Sequence, residues 1–143
     1  MQEPARSYFE REMATGKTLD EIKTPFDRFL NDLVVEARAQ EDSSEADPLF
    51  LDRALVDSVA YYNFFNLPIT DFLHESAMNR PYKKVFLLDL VDFKNDEARN
   101  ETPEEARQID QLIEEGYRAY DFDIIRVPVM PVEERVDFIV KRL

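Results

Sequence analysis

An acid and a base that directly follow a short apolar run are the residues best suited to chemistry. Residues 48–51 read as a buried strand, and Asp52 and Arg53 come next. The carboxyl ends of strands in an open α/β sheet form the edge where ligands bind. A carboxylate there can hold Mg²⁺ or accept a proton, and a guanidinium can bind phosphate oxygens. The pair therefore indicates phosphate chemistry, with a surface salt bridge at a strand end as the alternative.

The overall charge limits the partners. The 143 residues include 18 basic and 31 acidic side chains, which gives a net charge of −13. Such a charge repels nucleic acid and anionic membranes, so we expect neither as a partner. No apolar run approaches the roughly 18 residues of a membrane span, and the first residues lack the pattern of a signal peptide. We therefore expect a cytoplasmic protein.

The scarcity of cysteine and histidine narrows the chemistry further. The chain has no cysteine and a single histidine, His74, which lies in a helical pattern typical of a surface or partly buried position. Disulfides, thiolate nucleophiles and zinc sites built from cysteine and histidine are excluded. Any metal is therefore expected to be a hard cation on oxygen ligands, namely Mg²⁺.

Strand and helix patterns alternate along the chain. Residues 48–51, 84–90 and 123–127 are predicted strands, and residues 19–40, 55–65, 102–120 and 131–143 are predicted helices. Pro25 should kink or divide the first of these helices. The alternation predicts an α/β fold with a parallel sheet and helices on both faces. Residues 41–47 are expected to form a solvated loop. The last helix is expected to bury Val132, Val136, Ile139, Val140 and Leu143.

Gly16, Lys17 and Thr18 imitate the end of a phosphate-binding loop. The full loop needs an earlier glycine where this chain has Arg11, and a strand before it where the pattern is helical. Gly16 is therefore predicted to end one helix, and Thr18 to begin the next.

Five short segments in a fixed order carry a resemblance to a known family. They are residues 3–6, 50–61, 80–88, 96–102 and 127–128. Together they resemble the NadR-like AAA-domain family of small P-loop ATPases, related to nicotinamide riboside kinases and to other nucleoside and nucleotide kinases. The resemblance covers essentially the whole chain. It implies a three-layer, P-loop kinase-like parallel sheet, ATP and Mg²⁺ as cofactors, and phosphoryl transfer to a small-molecule acceptor.

The resemblance also assigns roles to particular residues. Asp52 would coordinate Mg²⁺ indirectly or act as a base, and Arg53 would contact phosphate or fix the substrate. Arg99 would be the arginine of a lid over the triphosphate, with Asp96 beside it. The resemblance also implies that the acceptor would be bound by Glu3, Arg6, Asp57 and Tyr61. The nucleotide base would be flanked by Pro128 and Val129. Ordinary helix pairs, core packing and solvated loop pairs are the alternatives for these residues.

The chain departs from the family at its beginning. Family members place a strand, a glycine-rich loop and a helix ahead of the segment that holds Glu3, whereas this sequence starts there and has only two glycines, Gly16 and Gly116. We therefore expect residues 1–143 to be one incomplete P-loop NTPase-like domain with negligible activity alone. A missing N-terminal segment or a partner chain would complete it, and restoring the segment should raise stability and Mg-ATP binding together.

Two functions remain open from the sequence. The first is an ATPase or small-molecule kinase whose acceptor is a nucleoside, a nucleotide or another hydroxyl compound. The second is a non-catalytic remnant of a nucleotide-binding fold that acts as a protein-interaction or regulatory module.

Overall fold

Helices and a small parallel sheet make up the mixed α/β structure of this chain, a computed structural model that describes residues 3–91 and 102–143. The chain divides into two compact units, Met1–Asn79 and Arg80–Leu143. No helix in the described ranges is long and apolar enough to cross a membrane. The prediction of a single domain over residues 1–143 stays a prediction.

Five helices form the described part of the first unit. They are α1 (Pro4–Ala14), α2 (Leu19–Ile22), α3 (Phe26–Ser43), α4 (Asp57–Phe64) and α5 (Asp71–Met78). Pro25 divides the predicted long helix into α2 and α3. Gly16, with φ 91°, follows the end of α1, and Thr18 caps α2 through a capping box with Glu21. The prediction that Gly16 ends one helix and Thr18 begins the next is therefore confirmed, because the local capping chemistry decides both helix ends.

Aromatic packing joins α1 to α3 in the first unit. The rings of Tyr8 and Phe29 lie 5.9 Å apart, and the Tyr8 hydroxyl donates a hydrogen bond to Asp32 at 3.0 Å. Burial, reinforced by this hydrogen bond and the charge of Asp32, raises the pKa of Tyr8 to about 12. Tyr8 therefore stays a neutral donor at physiological pH. The fully buried side chains of this unit include Val34, Leu55 and Leu73.

A two-stranded parallel sheet lies at the centre of the second unit. Strand β1 (Val85–Leu88) pairs with β2 (Ile124–Val127), with Val85 opposite Ile124, and the unit is completed by α6 (Pro103–Ala119) and α7 (Val132–Val140). Two of the three predicted strands are thus confirmed. Helix α6 begins at the predicted cap, where Thr102 and Glu105 form a capping box.

The predicted strand at residues 48–51 is wrong. The segment is a loop, and the described sheet contains only β1 and β2. A strand needs hydrogen-bonded neighbours, and Pro48 has no N–H to offer one. The expected loop at residues 41–47 also begins later than predicted, since α3 continues to Ser43.

The predicted burial of the α7 stripe is also wrong. Val132, Val136, Val140 and Leu143 are 53–65% exposed, Ile139 is half-buried, and no residue of α7 is buried. Helix α7 contacts β2, but a two-stranded sheet offers too little surface to cover the stripe. The helix therefore presents apolar side chains to solvent.

Candidate functional site

A tight turn ahead of α4 positions the residues that the sequence singled out. Arg53 has φ 64°, in the left-handed region that non-glycine residues rarely adopt. The Ala54 N–H donates to Asp57 Oδ2 at 3.4 Å, and the Leu55 N–H donates to Glu41 Oε1 at 2.8 Å. Leu55 and Val56 are almost completely buried. The turn is therefore anchored by apolar burial and by hydrogen bonds to two carboxylates.

Arg53 lies among several of the predicted site residues. Its Nη1 is 3.7 Å from Asp57 Oδ2, and the two side chains are 36% and 11% exposed. Burial is the largest influence on the pKa of Arg53 and lowers it. The opposing charges of Asp57, Tyr61, Glu3 and Asp52 together raise the pKa above its usual value. Tyrosine is neutral at physiological pH. The carboxylates of Asp57, Glu3 and Asp52 are therefore the negative charges that favour the charged form of the Arg53 guanidinium.

We call Glu3, Asp52, Arg53, Asp57 and Tyr61 the Arg53 cluster. All five were predicted site residues, and the structure brings them together within the first unit. Three carboxylates against one guanidinium leave an excess of two negative charges. Asp52 is exposed and Asp57 is buried, so a ligand can reach the first more readily than the second.

The other predicted site residues are Arg6, Pro128, Val129, Asp96 and Arg99. Arg6 is exposed on α1 and is not among the groups that shift the pKa of Arg53. Pro128 and Val129 are exposed after β2, in the second unit. Asp96 and Arg99 lie outside the described residues. Their roles at the nucleotide and in the lid therefore stay predictions.

Asp52 was also the predicted metal ligand. Within residues 3–91 and 102–143, no three acidic or histidine side chains are placed to share a metal ion. Mg²⁺ often uses only one or two carboxylates together with substrate phosphates and water, and the exposed carboxylate of Asp52 fits that mode. Gly16 ends α1, and Gly116 lies inside α6. The described residues thus form no glycine-rich phosphate loop.

A second charged cluster, in the second unit, was missed by the sequence reasoning. Arg126 on β2 binds Asp110 of α6 through two hydrogen bonds of 2.8 and 3.2 Å. It also binds Glu114 Oε2 through Nη2 and Nε at 2.6 and 2.9 Å, and Asp89 after β1 at 3.4 Å. We call these four residues the Arg126 cluster. One guanidinium thus ties both strands to α6.

The hydrogen bonds of the Arg126 cluster shift the pKa of its members. The hydrogen bond to Asp110 is the main reason that the pKa of Arg126 is raised. The pKa of Glu114 is lowered, chiefly by its hydrogen bond to Arg118 and then by that to Arg126. A charged residue within an otherwise apolar strand, with acids four residues apart on the preceding helix, was the signal in the sequence.

The backbone strain at Arg53 leads to a first prediction. We expect Arg53→Gly to be more stable than Arg53→Ala by about 1 kcal/mol, because both remove the guanidinium but only glycine adopts positive φ without strain. Chemical denaturation of both variants measures the difference. Equal stabilities of the glycine and alanine variants would show that the backbone at position 53 is not strained. The positive φ would then be no sign of a functional role for the Arg53 side chain.

The fold and the Arg53 cluster define a protein of the α/β class with a charged site before a helix. Comparison with known proteins makes this more specific. The chain matches an AAA-domain family over residues 1–135, and it therefore belongs to that family, which is of the P-loop NTPase type. No curated protein and no solved structure matches the chain. The family supports a nucleotide-binding, ATPase- or kinase-like function.

Proposed function

We propose that this protein takes part in Mg²⁺-dependent phosphoryl transfer from ATP to a small hydroxyl compound, which is bound at the Arg53 cluster. The observation that carries the proposal is the assembly of Glu3, Asp52, Asp57 and Tyr61 around Arg53. The resemblance assigned acceptor binding or catalysis to each of these residues separately. In this proposal the protein is cytoplasmic and acts on small molecules, without a nucleic acid or membrane partner.

Each residue of the cluster has a part that follows from its environment. Asp52 is exposed and carries a carboxylate, so it accepts the acceptor's hydroxyl proton or holds Mg²⁺ through water. Asp57 is buried and fixes Arg53 through their 3.7 Å ion pair. Arg53, always charged, then orients the acceptor or a transferred phosphate. Arg99, Asp96, Pro128 and Val129 would serve the nucleotide, as the resemblance implies.

The charge of the cluster favours one class of acceptor. Its excess of two negative charges repels a phosphate monoester, and its one guanidinium is already paired with Asp57. Carboxylates do accept hydrogen bonds from hydroxyl groups. We therefore propose an acceptor that offers hydroxyl groups and carries no phosphate, such as a nucleoside, rather than a nucleotide.

A second function is favoured by a different observation. The described residues contain no phosphate-binding loop, and the guanidinium of Arg53 is already paired with Asp57. The second proposal is therefore a non-catalytic module, in which the Arg53 cluster takes part in protein interaction or regulation and no phosphoryl group is transferred.

Calorimetric titration of the chain with a panel of nucleosides and their 5′-monophosphates tests the proposal. We expect at least one nucleoside to bind about tenfold more tightly than its monophosphate. Asp52→Asn should weaken nucleoside binding. It should also reduce the difference in affinity between the nucleoside and its monophosphate, because one charge that repels the phosphate is gone. Arg28→Ala is the control, since Arg28 is exposed on α3 and outside the cluster.

The outcomes of this titration separate the alternatives. Tighter binding of a monophosphate would contradict the acceptor class. Failure of every nucleoside and monophosphate to bind would contradict the acceptor site and favour the non-catalytic module.

A further inference from the structure

Helix α7 and its flanks carry an exposed apolar face. We call Val129, Val132, Val136, Val140 and Leu143 the α7 face; each side chain is between 53% and 65% exposed. Single exposed apolar residues are ordinary, but a row of five on one segment marks an interaction surface.

The spacing of the α7 face is symmetric. Its three helical residues, Val132, Val136 and Val140, are spaced four positions apart, so the pattern on the helix reads the same in both directions from Val136. A two-fold contact places the same patch on both partners, with each residue opposite its symmetry mate. Two antiparallel copies of α7 crossing at Val136 would set Val132 of one copy against Val140 of the other.

The charges on α7 and just after its end also favour an antiparallel contact. Glu133 and Glu134 lie in the first turn of the helix, Asp137 lies just past its middle, and Lys141 and Arg142 follow its end. With Arg135, residues 132–143 hold three acids and three bases, whereas the whole chain has a net charge of −13. In an antiparallel pair, the acidic start of one helix meets the basic end of the other.

We propose that the α7 face binds the α7 face of a second copy of this chain, in an antiparallel two-fold contact. The neutral charge balance of this segment lets two acidic chains approach there without strong repulsion. The ion pair between Lys141 and Asp137 does not oppose the contact, because it is 3.8 Å long with both side chains more than 70% exposed. Such a pair contributes little and can exchange for a partner across the interface.

Sedimentation equilibrium across a range of concentrations tests the contact. We expect the chain to be a dimer, and Val136→Asp to raise the dissociation constant at least about 100-fold, because two carboxylates would meet at the two-fold axis. Val35→Asp is the matched control, since Val35 is an exposed valine on α3 of the first unit and should leave the dimer unchanged.

A charge exchange tests the antiparallel orientation. The double variant Glu133→Lys/Glu134→Lys and the double variant Lys141→Glu/Arg142→Glu should each be monomeric alone. Mixed in equal amounts they should form a heterodimer, because one now has a basic face and the other an acidic one. Recovery on mixing also shows that neither variant is merely unfolded.

Two results would overturn the proposal. A chain that is monomeric at every concentration, with a melting temperature lowered by Val136→Asp, would show that the face is covered within one chain. A dimer that is insensitive to Val136→Asp, or charge variants that do not associate when mixed, would place the contact elsewhere or in another orientation.

Discussion

Replacing Arg126 with methionine is expected to lower the free energy of unfolding by about 2–3 kcal/mol, because it leaves three carboxylates facing one another without a cation. Removing one partner of a fully buried pair costs about 3–5 kcal/mol. The expected loss of unfolding free energy for Arg126→Met is smaller, since the Arg126 side chain is 34% exposed and solvent screens part of the interaction. Urea denaturation followed by circular dichroism measures the change.

Arg118 provides the matched control for this prediction. It also binds Glu114, with Nη2 at 2.8 Å from Oε1, but its side chain is 62% exposed. We expect Arg118→Met to cost less than about 1 kcal/mol, as is usual for exposed pairs. The loss of unfolding free energy for Arg126→Lys should fall between those of Arg118→Met and Arg126→Met. Lysine keeps the positive charge, but its ammonium cannot reproduce the paired hydrogen bonds to Asp110. Equal losses for the methionine variants at 118 and 126 would contradict the importance of the Arg126 cluster.

The same prediction has a pH dependence with a definite sign. The pKa of Glu114 is lowered in the folded chain, first by Arg118 and then by Arg126. A lowered pKa stabilises the fold above the ordinary pKa of glutamate, and that contribution is lost as the pH falls through the folded value. The difference between the parent chain and Arg126→Met should therefore shrink as the pH falls through the lowered pKa of Glu114.

The features that the sequence predicted correctly are those decided by neighbouring residues. Thr18 and Thr102 begin helices because each hydroxyl caps an N–H three residues later, and Pro25 divides a helix because it lacks an N–H. The placement of Asp52 and Arg53 at the carboxyl edge of the sheet was wrong, because residues 48–51 form a loop and the described sheet contains only β1 and β2; the two residues lie instead in the turn before α4.

The features that the sequence predicted wrongly depend on distant parts of the chain. Residues 48–51 have an apolar strand pattern, but a strand forms only where another segment supplies hydrogen bonds. The α7 stripe has helical spacing, but its burial requires a larger sheet than β1 and β2 provide. Arg126 was assigned to the correct strand, yet its partners Asp89 and Asp110 lie 37 and 16 positions away. The packing of α6 on the sheet is what brings these partners to Arg126.

In the Arg53 cluster, Asp52 and Asp57 should respond differently to the same loss of charge. We expect Asp57→Asn to lower the free energy of unfolding by about 1–2 kcal/mol, since its buried carboxylate is paired with Arg53 and accepts the Ala54 N–H. Asp52→Asn should leave the melting temperature unchanged, because Asp52 is exposed. Thermal and urea denaturation of the two variants make this comparison.

The larger effect of Asp52→Asn is expected on turnover. In a form that carries the family's strand and glycine-rich loop ahead of Glu3, we expect the kcat for phosphoryl transfer to a nucleoside to fall about 100-fold or more. The physical reason is that an amide can neither accept the hydroxyl proton nor hold Mg²⁺ as a carboxylate does. Glu75→Gln is the control, since Glu75 is exposed on α5 and outside the cluster.

The dependence of Asp52→Asn on pH then distinguishes catalysis from positioning. If Asp52 is the base, the acid limb in the kcat/KM profile of the parent enzyme should be absent from the profile of the variant. A variant that keeps the parent's pH profile, with only a raised KM, would show that Asp52 binds substrate without taking its proton. Unchanged kcat and KM would place the chemistry outside the Arg53 cluster altogether.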